Sequence, residues 1–370
     1  MKRIIIFHIS QLGGHKKAGE NIKEALEFKR PLLKVFNLNI FDYISPLLEK
    51  NINLLYGFTI KYLPRLWGGI YDRKSLVKIL TPLRGMINRY ILPQIYKLVK
   101  ETNPSLILAT QAFPCGVVAD LKRIYKWDLP LIGVITDYCP HRFWIHPQVD
   151  FYTVASEKAK EILRNEGVEE EKIKVMGIPV SIKFLNTFSK KDVAYEFGFQ
   201  SDLPAVLIMG GGLGIGKLDE IAQIIDSIDM DLQIIVVCGN NKRLYNWFKN
   251  RSHTFRHKIF YFGYVDFVYK LMDFSDIIVT KAGGLTLSEA LAKGLAIILL
   301  RSIPGQEERN INFLLEKKAI IRIKNNEEIK YFLRRLLEDK KALFLLKEKA
   351  KRISIIDSSL RIADLVLSYV

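Results

Sequence analysis

Four short stretches of this 370-residue chain carry chemically useful side chains, three of them beside glycines. The first is Gly13-Gly14-His15, between an apolar run and a helical pattern. Paired glycines let a ligand approach the backbone, and a helix N-terminus favours negative charge. An imidazole placed there takes a proton from a hydroxyl near neutral pH. A plain turn with an N-terminal histidine fits the same residues. The second is Asp137, which closes another apolar run and leads into Cys139-Pro140-His141-Arg142-Phe143-Trp144-Ile145-His146. Two histidines five apart near a cysteine suggest a metal, but a helical zinc pair needs i, i+4 spacing and a carboxylate beside the first histidine. No metal site is expected, and Trp144 is read as facing lipid or acceptor.

The third stretch is Gly210-Gly211-Gly212-Leu213-Gly214. It lacks the Gly-Lys-Ser/Thr of a phosphate loop and the third small residue of a dinucleotide fingerprint. It remains a strand-to-helix turn whose N–H groups suit a phosphate. The fourth runs from Thr280 through Gly283, Gly284, Leu285, Thr286 and Glu289, and is followed by Pro304-Gly305-Gln306-Glu307-Glu308-Arg309-Asn310. The spacing predicts a helix from about Thr286. Thr286-x-x-Glu289 then fits a capping box, which by itself would account for the glutamate.

The elements that carry these residues alternate. Apolar runs at Ile4–Ile9, Val35–Ile40, Ser105–Thr110, Leu131–Thr136, Phe151–Ala155 and Ile173–Val175 read as strands separated by helices. After Gly177-Ile178-Pro179 the rhythm restarts at Ala205–Met209, Gln233–Cys238, Ile259–Phe262, Asp276–Thr280 and Ala296–Leu300. Strands alternating with helices predict parallel sheets covered on both faces. Ligands bind such sheets at the carboxyl ends of the strands, where all four stretches lie. Ile356, Leu360, Ala363 and Leu367 share one helical face, so a final helix is expected to pack.

Composition narrows the function. Half the chain is hydrophobic (49%) and a quarter charged (26%), which excludes disorder. Three cysteines are too few for a disulfide framework. The opening run Ile4-Ile5-Ile6-Phe7 ends at His8, so it reads as a strand rather than a signal peptide, and no apolar run reaches membrane-spanning length. The net charge of +17 implies an anionic partner. Residues 51–100 hold nine basic residues and one acid, a local +8, mixed with Tyr62, Trp67 and other large apolar side chains. Cations among aromatic rings suit a bilayer headgroup layer, and no nucleic-acid-binding motif accompanies them. Tyr62, Arg65, Trp67 and Trp144 are therefore the expected membrane or acceptor contacts.

Taken together, these stretches resemble the diacylglycerol glycosyltransferases, that is, the plant monogalactosyldiacylglycerol synthases and the bacterial processive diacylglycerol glucosyltransferases. His15 falls in the family's glycine–glycine–histidine motif. Thr136-Asp137 with His141, Trp144 and His146 resembles its acceptor loop, Gly177-Ile178-Pro179-Val180 its linker, and Thr280–Glu289 with Pro304–Asn310 its donor site. Leu12 departs from a further glycine common in relatives. The resemblance implies an α/β protein of GT-B fold, with two doubly wound Rossmann-like domains facing across a cleft. Residues 1–180 would take acceptor and membrane, 181–350 the UDP-sugar, and 351–370 would pack back on the first domain.

The implied activity is inverting transfer of glucose or galactose from UDP-glucose or UDP-galactose to diacylglycerol, without metal or other cofactor. It would take place at the cytoplasmic face of a membrane containing anionic lipid, with the protein bound peripherally. His15 would be the base and Asp137 its orienting partner. Gly14, Gly211, Gly212, Gly283, Gly284, Leu285 and Thr286 would line the UDP-sugar, and backbone at Val265 would hold uracil. Glu289 would accept from ribose, Gln306 and Glu307 from the hexose. Another lipid or polyprenyl acceptor, a UDP-sugar 2-epimerase and a non-enzymatic membrane-binding protein remain alternatives.

Overall fold

The computed structural model describes residues 2–9, 13–44, 90–300 and 306–370, with the side chain of Gln306 left out. Tyr62, Arg65 and Trp67 lie outside the described residues. Two compact units are present. One holds the chain to Ile182, the start of the Gln306–Glu316 helix through Arg309, and Asp357–Val370. The other holds Lys183 onward to Ile356, apart from that short helical start.

The first unit is built on six parallel strands: β1 (Arg3–His8), β2 (Lys34–Asn39), β3 (Leu106–Ala109), β4 (Leu131–Val134), β5 (Phe151–Val154) and β6 (Ile173–Val175), in the order β2-β1-β3-β4-β5-β6. Ile4 to Phe7, Leu106 to Ala109 and most of β4 are wholly buried, as unbroken apolar runs covered on both faces must be. On one face, Ile4, Ile6, Leu106 and Leu108 pack with Ile22 and Leu26 of the helix Gly14–Lys29 and with Ile362, Ala363 and Val366 of the final helix, Ser358–Leu367. That final helix is pinned further. Ser358 Oγ donates to the Ile178 carbonyl at 2.9 Å, and the Lys29 ammonium lies 2.6 Å from Asp364.

The second unit repeats the scheme with β7 (Ala205–Met209), β8 (Gln233–Val237), β9 (Lys258–Phe262), β10 (Ile277–Thr280), β11 (Ala296–Leu299) and β12 (Ile320–Arg322), in the order β12-β11-β10-β7-β8-β9. Strand β12 was not among the predicted strands. Its three residues sit between lysines in Lys317-Lys318-Ala319-Ile320-Ile321-Arg322, too short for a periodicity to register.

Each sheet has one switch point, where strand order runs away in both directions. It lies between β1 and β3 in the first unit and between β7 and β10 in the second. Loops leaving the carboxyl ends on either side diverge there and open a crevice. His15 follows β1 and Thr110 follows β3; Gly210–Gly214 follows β7 and Gly283 follows β10.

Candidate functional site

The acceptor-side residues gather at the first switch point. Gly13 caps the Gly14–Lys29 helix, Gly14 is exposed, and His15 is the second helical residue. The half-buried His15 ring holds two contacts through Nδ1, to the Thr110 carbonyl oxygen at 2.9 Å and to the Thr136 hydroxyl at 3.0 Å. Sequence reading assigned the orienting role to Asp137; the contacts at Nδ1 come from Thr110 and from Thr136, the residue before it. Asp137 is buried at 5% exposure. Burial draws the His15 pKa down to about 4, the Thr110 carbonyl opposes the fall, and the charge of His8 adds to it. The imidazole is therefore neutral at physiological pH.

Trp144 is corrected. It is 1% exposed and belongs to the core beneath β3 and β4, so it offers no face to lipid or acceptor. Residues Arg142–Trp144 make a single tight turn that tucks the indole inward. The Tyr152 hydroxyl, rising from β5, secures that turn by donating to the Trp144 carbonyl at 3.0 Å and accepting from the His146 N–H at 2.9 Å. Beside it, a cavity of about 200 Å³ is lined in part by His141, Arg142, Glu166 and Arg309. Burial and the charges of Arg309 and His15 hold the His141 pKa at about 3. Sequence reading had singled out neither Thr110 nor Arg309. Thr110 had a signal, being the residue just past a buried strand; Arg309 had none beyond its motif.

Of the residues expected to hold the UDP-sugar, the two glycine turns and Glu289 lie at the second switch point. The glycine turn after β7 closes through Gly214 N–H to the Gly211 carbonyl at 2.9 Å and Ile215 N–H to the Gly210 carbonyl at 3.0 Å. It was expected to open a helix, but the next helix, Leu218–Asp226, starts four residues past Gly214 and is preceded by Lys217. Gly211 and Gly212 are thus not at a helix N-terminus. What they offer is turn backbone. Among the described residues the N–H groups of Gly211, Gly212 and Leu213 make no hydrogen bond within the protein. Gly214 has φ +57°, and a Cβ there would sit 2.0 Å from the Cys238 carbonyl oxygen, so this turn rests backbone-to-backbone on the loop after β8.

At β10 the helix does begin at a glycine. Gly283 is the cap and Gly284 the first residue of Gly284–Ala292, three residues earlier than the capping box required. A glycine cap has no side chain, so Glu289 is no capping partner. It lies deeper in the helix, 7% exposed, sharing a face with the half-buried Leu285 and Thr286. Lys281 reaches between the two glycine turns: its Cε lies 3.4 Å from where a Gly211 Cβ would be, and its Nζ 3.9 Å from a Gly283 Cβ. Asn310, 1% exposed, donates to the Ala282 carbonyl at 3.3 Å and steadies the turn. Glu307 is half-buried in the first turn of Gln306–Glu316. Val265 is half-buried in the loop between β9 and the helix Val268–Phe274.

Known proteins carry both halves of this arrangement. Residues 15–180 match the family model of monogalactosyldiacylglycerol synthase, and residues 205–357 match that of the glycosyltransferase family 28 C-terminal domain. The chain belongs to the diacylglycerol glycosyltransferase family. A relative in that family, the processive diacylglycerol beta-glucosyltransferase of Bacillus licheniformis, is 29% identical over 366 residues, spanning 97% of this chain and 92% of the relative. The Bacillus subtilis enzyme of the same name is also 29% identical, over 97% of this chain and 93% of its own length. Among solved structures, MurG of Acinetobacter baumannii matches over the whole of both chains, with a TM-score of 0.66 at 15% identity, which establishes the shared GT-B fold. As a member of glycosyltransferase family 28, the chain is an enzyme of glycosyl transfer.

Proposed function

We propose that this enzyme moves glucose from UDP-glucose to the free hydroxyl of diacylglycerol at a membrane surface, inverting the anomeric carbon. The observation that carries the reading is the His15 ring at the first switch point, neutral and anchored through Nδ1. A carbonyl oxygen only accepts, so the proton sits on Nδ1 and Nε2 is left basic. As the acceptor oxygen bonds to the anomeric carbon, the bond from that carbon to the diphosphate breaks and the hydroxyl proton passes to Nε2. UDP-glucose is α-linked, so one such displacement gives a β-glucoside, the linkage named for the Bacillus relatives.

The leaving diphosphate gains charge. Turn N–H groups of Gly211 and Gly212, the helix N-terminus at Gly283-Gly284 and the Lys281 ammonium meet it, in place of a divalent cation. Glu289 takes the ribose hydroxyls, Gln306 and Glu307 the sugar, and backbone at Val265 the base. From Gly283 after β10 to Val265 after β9 is three strand spacings, roughly 14 Å, which an extended nucleotide covers.

The test is a donor screen. Labelled UDP-glucose or UDP-galactose is incubated with diacylglycerol vesicles, with and without chelator, and the lipids are resolved by chromatography. A β-glucolipid that requires diacylglycerol and forms equally well in chelator is the expected product. Label entering lipid only from UDP-galactose would overturn the donor assignment, and loss of turnover in chelator the metal-free one. Isomerised sugar nucleotide without acceptor would replace transfer by epimerisation.

A further inference from the structure

We propose that Thr110 and Thr136 are positioning residues that lock His15 in the tautomer carrying its proton on Nδ1, so that Nε2 is the atom that receives the acceptor's proton. The inference rests on the reading of His15 as the base and adds what makes it one.

The Thr110 carbonyl lies 2.9 Å from Nδ1 and, having no proton, forces Nδ1 to donate. The Thr136 hydroxyl oxygen, 3.0 Å from the same nitrogen, shares that proton and fixes the plane of the ring. Thr110 also grips the backbone. Its hydroxyl has one proton to give and lies 2.9 Å from the His15 carbonyl oxygen, against 3.4 Å from that of Phe7. The shorter bond takes it, tying the first turn of the helix to the end of β3.

The second unit shows what such a threonine does without a histidine. Thr280, at the matching side of its switch point, donates to the Met209 carbonyl at 2.8 Å and simply joins β10 to β7. In the first unit the same device is turned from strand to helix, where His15 stands.

Three neighbouring strands supply the parts. β1 leads to His15, β3 ends at Thr110, and β4 ends two residues before Thr136. Titratable groups around the ring include His8, at the end of β1, His141, beyond β4, with Arg309 beside the latter, and Asp137, buried next to Thr136. The partners of Nδ1 are Thr110 and Thr136, and through that atom they set the tautomer.

Nitrogen NMR of the histidine-labelled enzyme at pH 7 tests this directly. The wild type should show His15 as a single tautomer, protonated at Nδ1 and bare at Nε2. A ring protonated at Nε2 overturns the proposal, and needs no variant to see. Thr136→Val keeps the shape and removes the hydroxyl. It should lower kcat about tenfold, the worth of one hydrogen bond, leave the KM for UDP-sugar unchanged, and shift the Nδ1 resonance, with the Thr110 carbonyl still holding the proton on Nδ1. Thr136→Ser should restore both kcat and the wild-type Nδ1 resonance. A folded Thr136→Val enzyme with unaltered kcat and an unaltered spectrum overturns the clamp. His15→Ala separates the two readings. Turnover retained in that variant removes the base, whereas turnover lost there but kept in Thr136→Val removes only the clamp.

Discussion

An imidazole whose pKa is drawn down to about 4 is a weak base toward a free alcohol, yet glycosyl transfer does not require a strong one. The sugar passes through an oxocarbenium-like state, and the attacking hydroxyl turns acidic only as its bond to carbon forms. What matters is that Nε2 be unprotonated when that happens. His15 binds a proton only below about pH 4, so kcat/KM should run flat from pH 5 through 8 and fall only toward pH 4. An ordinary histidine would bend the profile near 6.5. A pH–rate series locates the limb. His15→Ala should cut kcat at least 100-fold, about the lower bound of a general-base contribution. His15 was legible because glycine, glycine and histidine lie together in the sequence. Its two anchors were not, being 95 and 121 residues away and joined to it only by sheet order. Trp144 misled for a related reason. A tryptophan in a polar loop looks outward until a tyrosine from the next strand folds the loop down on it.

Among the elements, the glycine turns carry the donor half, and they differ in kind. The turn at Gly283 opens a helix and offers a dipole; the turn at Gly211 offers backbone alone, steadied by its contact with the loop after β8. Their glycines were plain in the sequence, but the helix starts were not, since Thr286-x-x-Glu289 mimicked a cap that a glycine pre-empted three residues earlier. Backbone contact between loops leaves no trace in composition. Gly214→Ala should therefore cost far more than a left-handed alanine elsewhere. Gly198 offers the comparison, with φ +72° and nothing within 4 Å of a built Cβ. Gly198→Ala should cost only the left-handed penalty of roughly 1–2 kcal/mol. Gly214→Ala bears the same penalty and also drives a methyl onto the Cys238 carbonyl, so the turn must move. Urea unfolding should show the larger loss for Gly214→Ala, and titration with UDP should show weakened binding in that variant alone. Equal losses in both would mean the loop contact is soft.

For the whole molecule, two alternating strand–helix series announced the two units, because buried parallel strands read as unbroken apolar runs. Charge acts at this scale too. His15 and His141, at about 4 and about 3, refuse protons that the unfolded chain accepts near 6.5. Folding is thus penalised as pH falls from 6.5 toward 4, by about 1.4 kcal/mol per unit for each ring, and their contribution is flat above 6.5. Melting temperatures taken across that window should fall with pH. The permanent charge is uneven along the sequence. Of the net +17, +8 falls within residues 51–100, among Tyr62, Trp67 and their apolar neighbours. Each cation near an anionic surface is worth about 1 kcal/mol, so a handful would suffice for reversible binding to such a surface. The protein should sediment with vesicles containing anionic lipid and should leave them near 1 M salt, where screening shortens to about 3 Å. Neutral vesicles should take up little. Reversing Lys61 and Lys74 together to glutamate lowers the net charge of the segment by about four and should release the protein at lower salt, while kcat on a detergent-dispersed acceptor stays unchanged. Equal uptake on both kinds of vesicle would instead assign binding to the apolar side chains, with the cations serving only solubility.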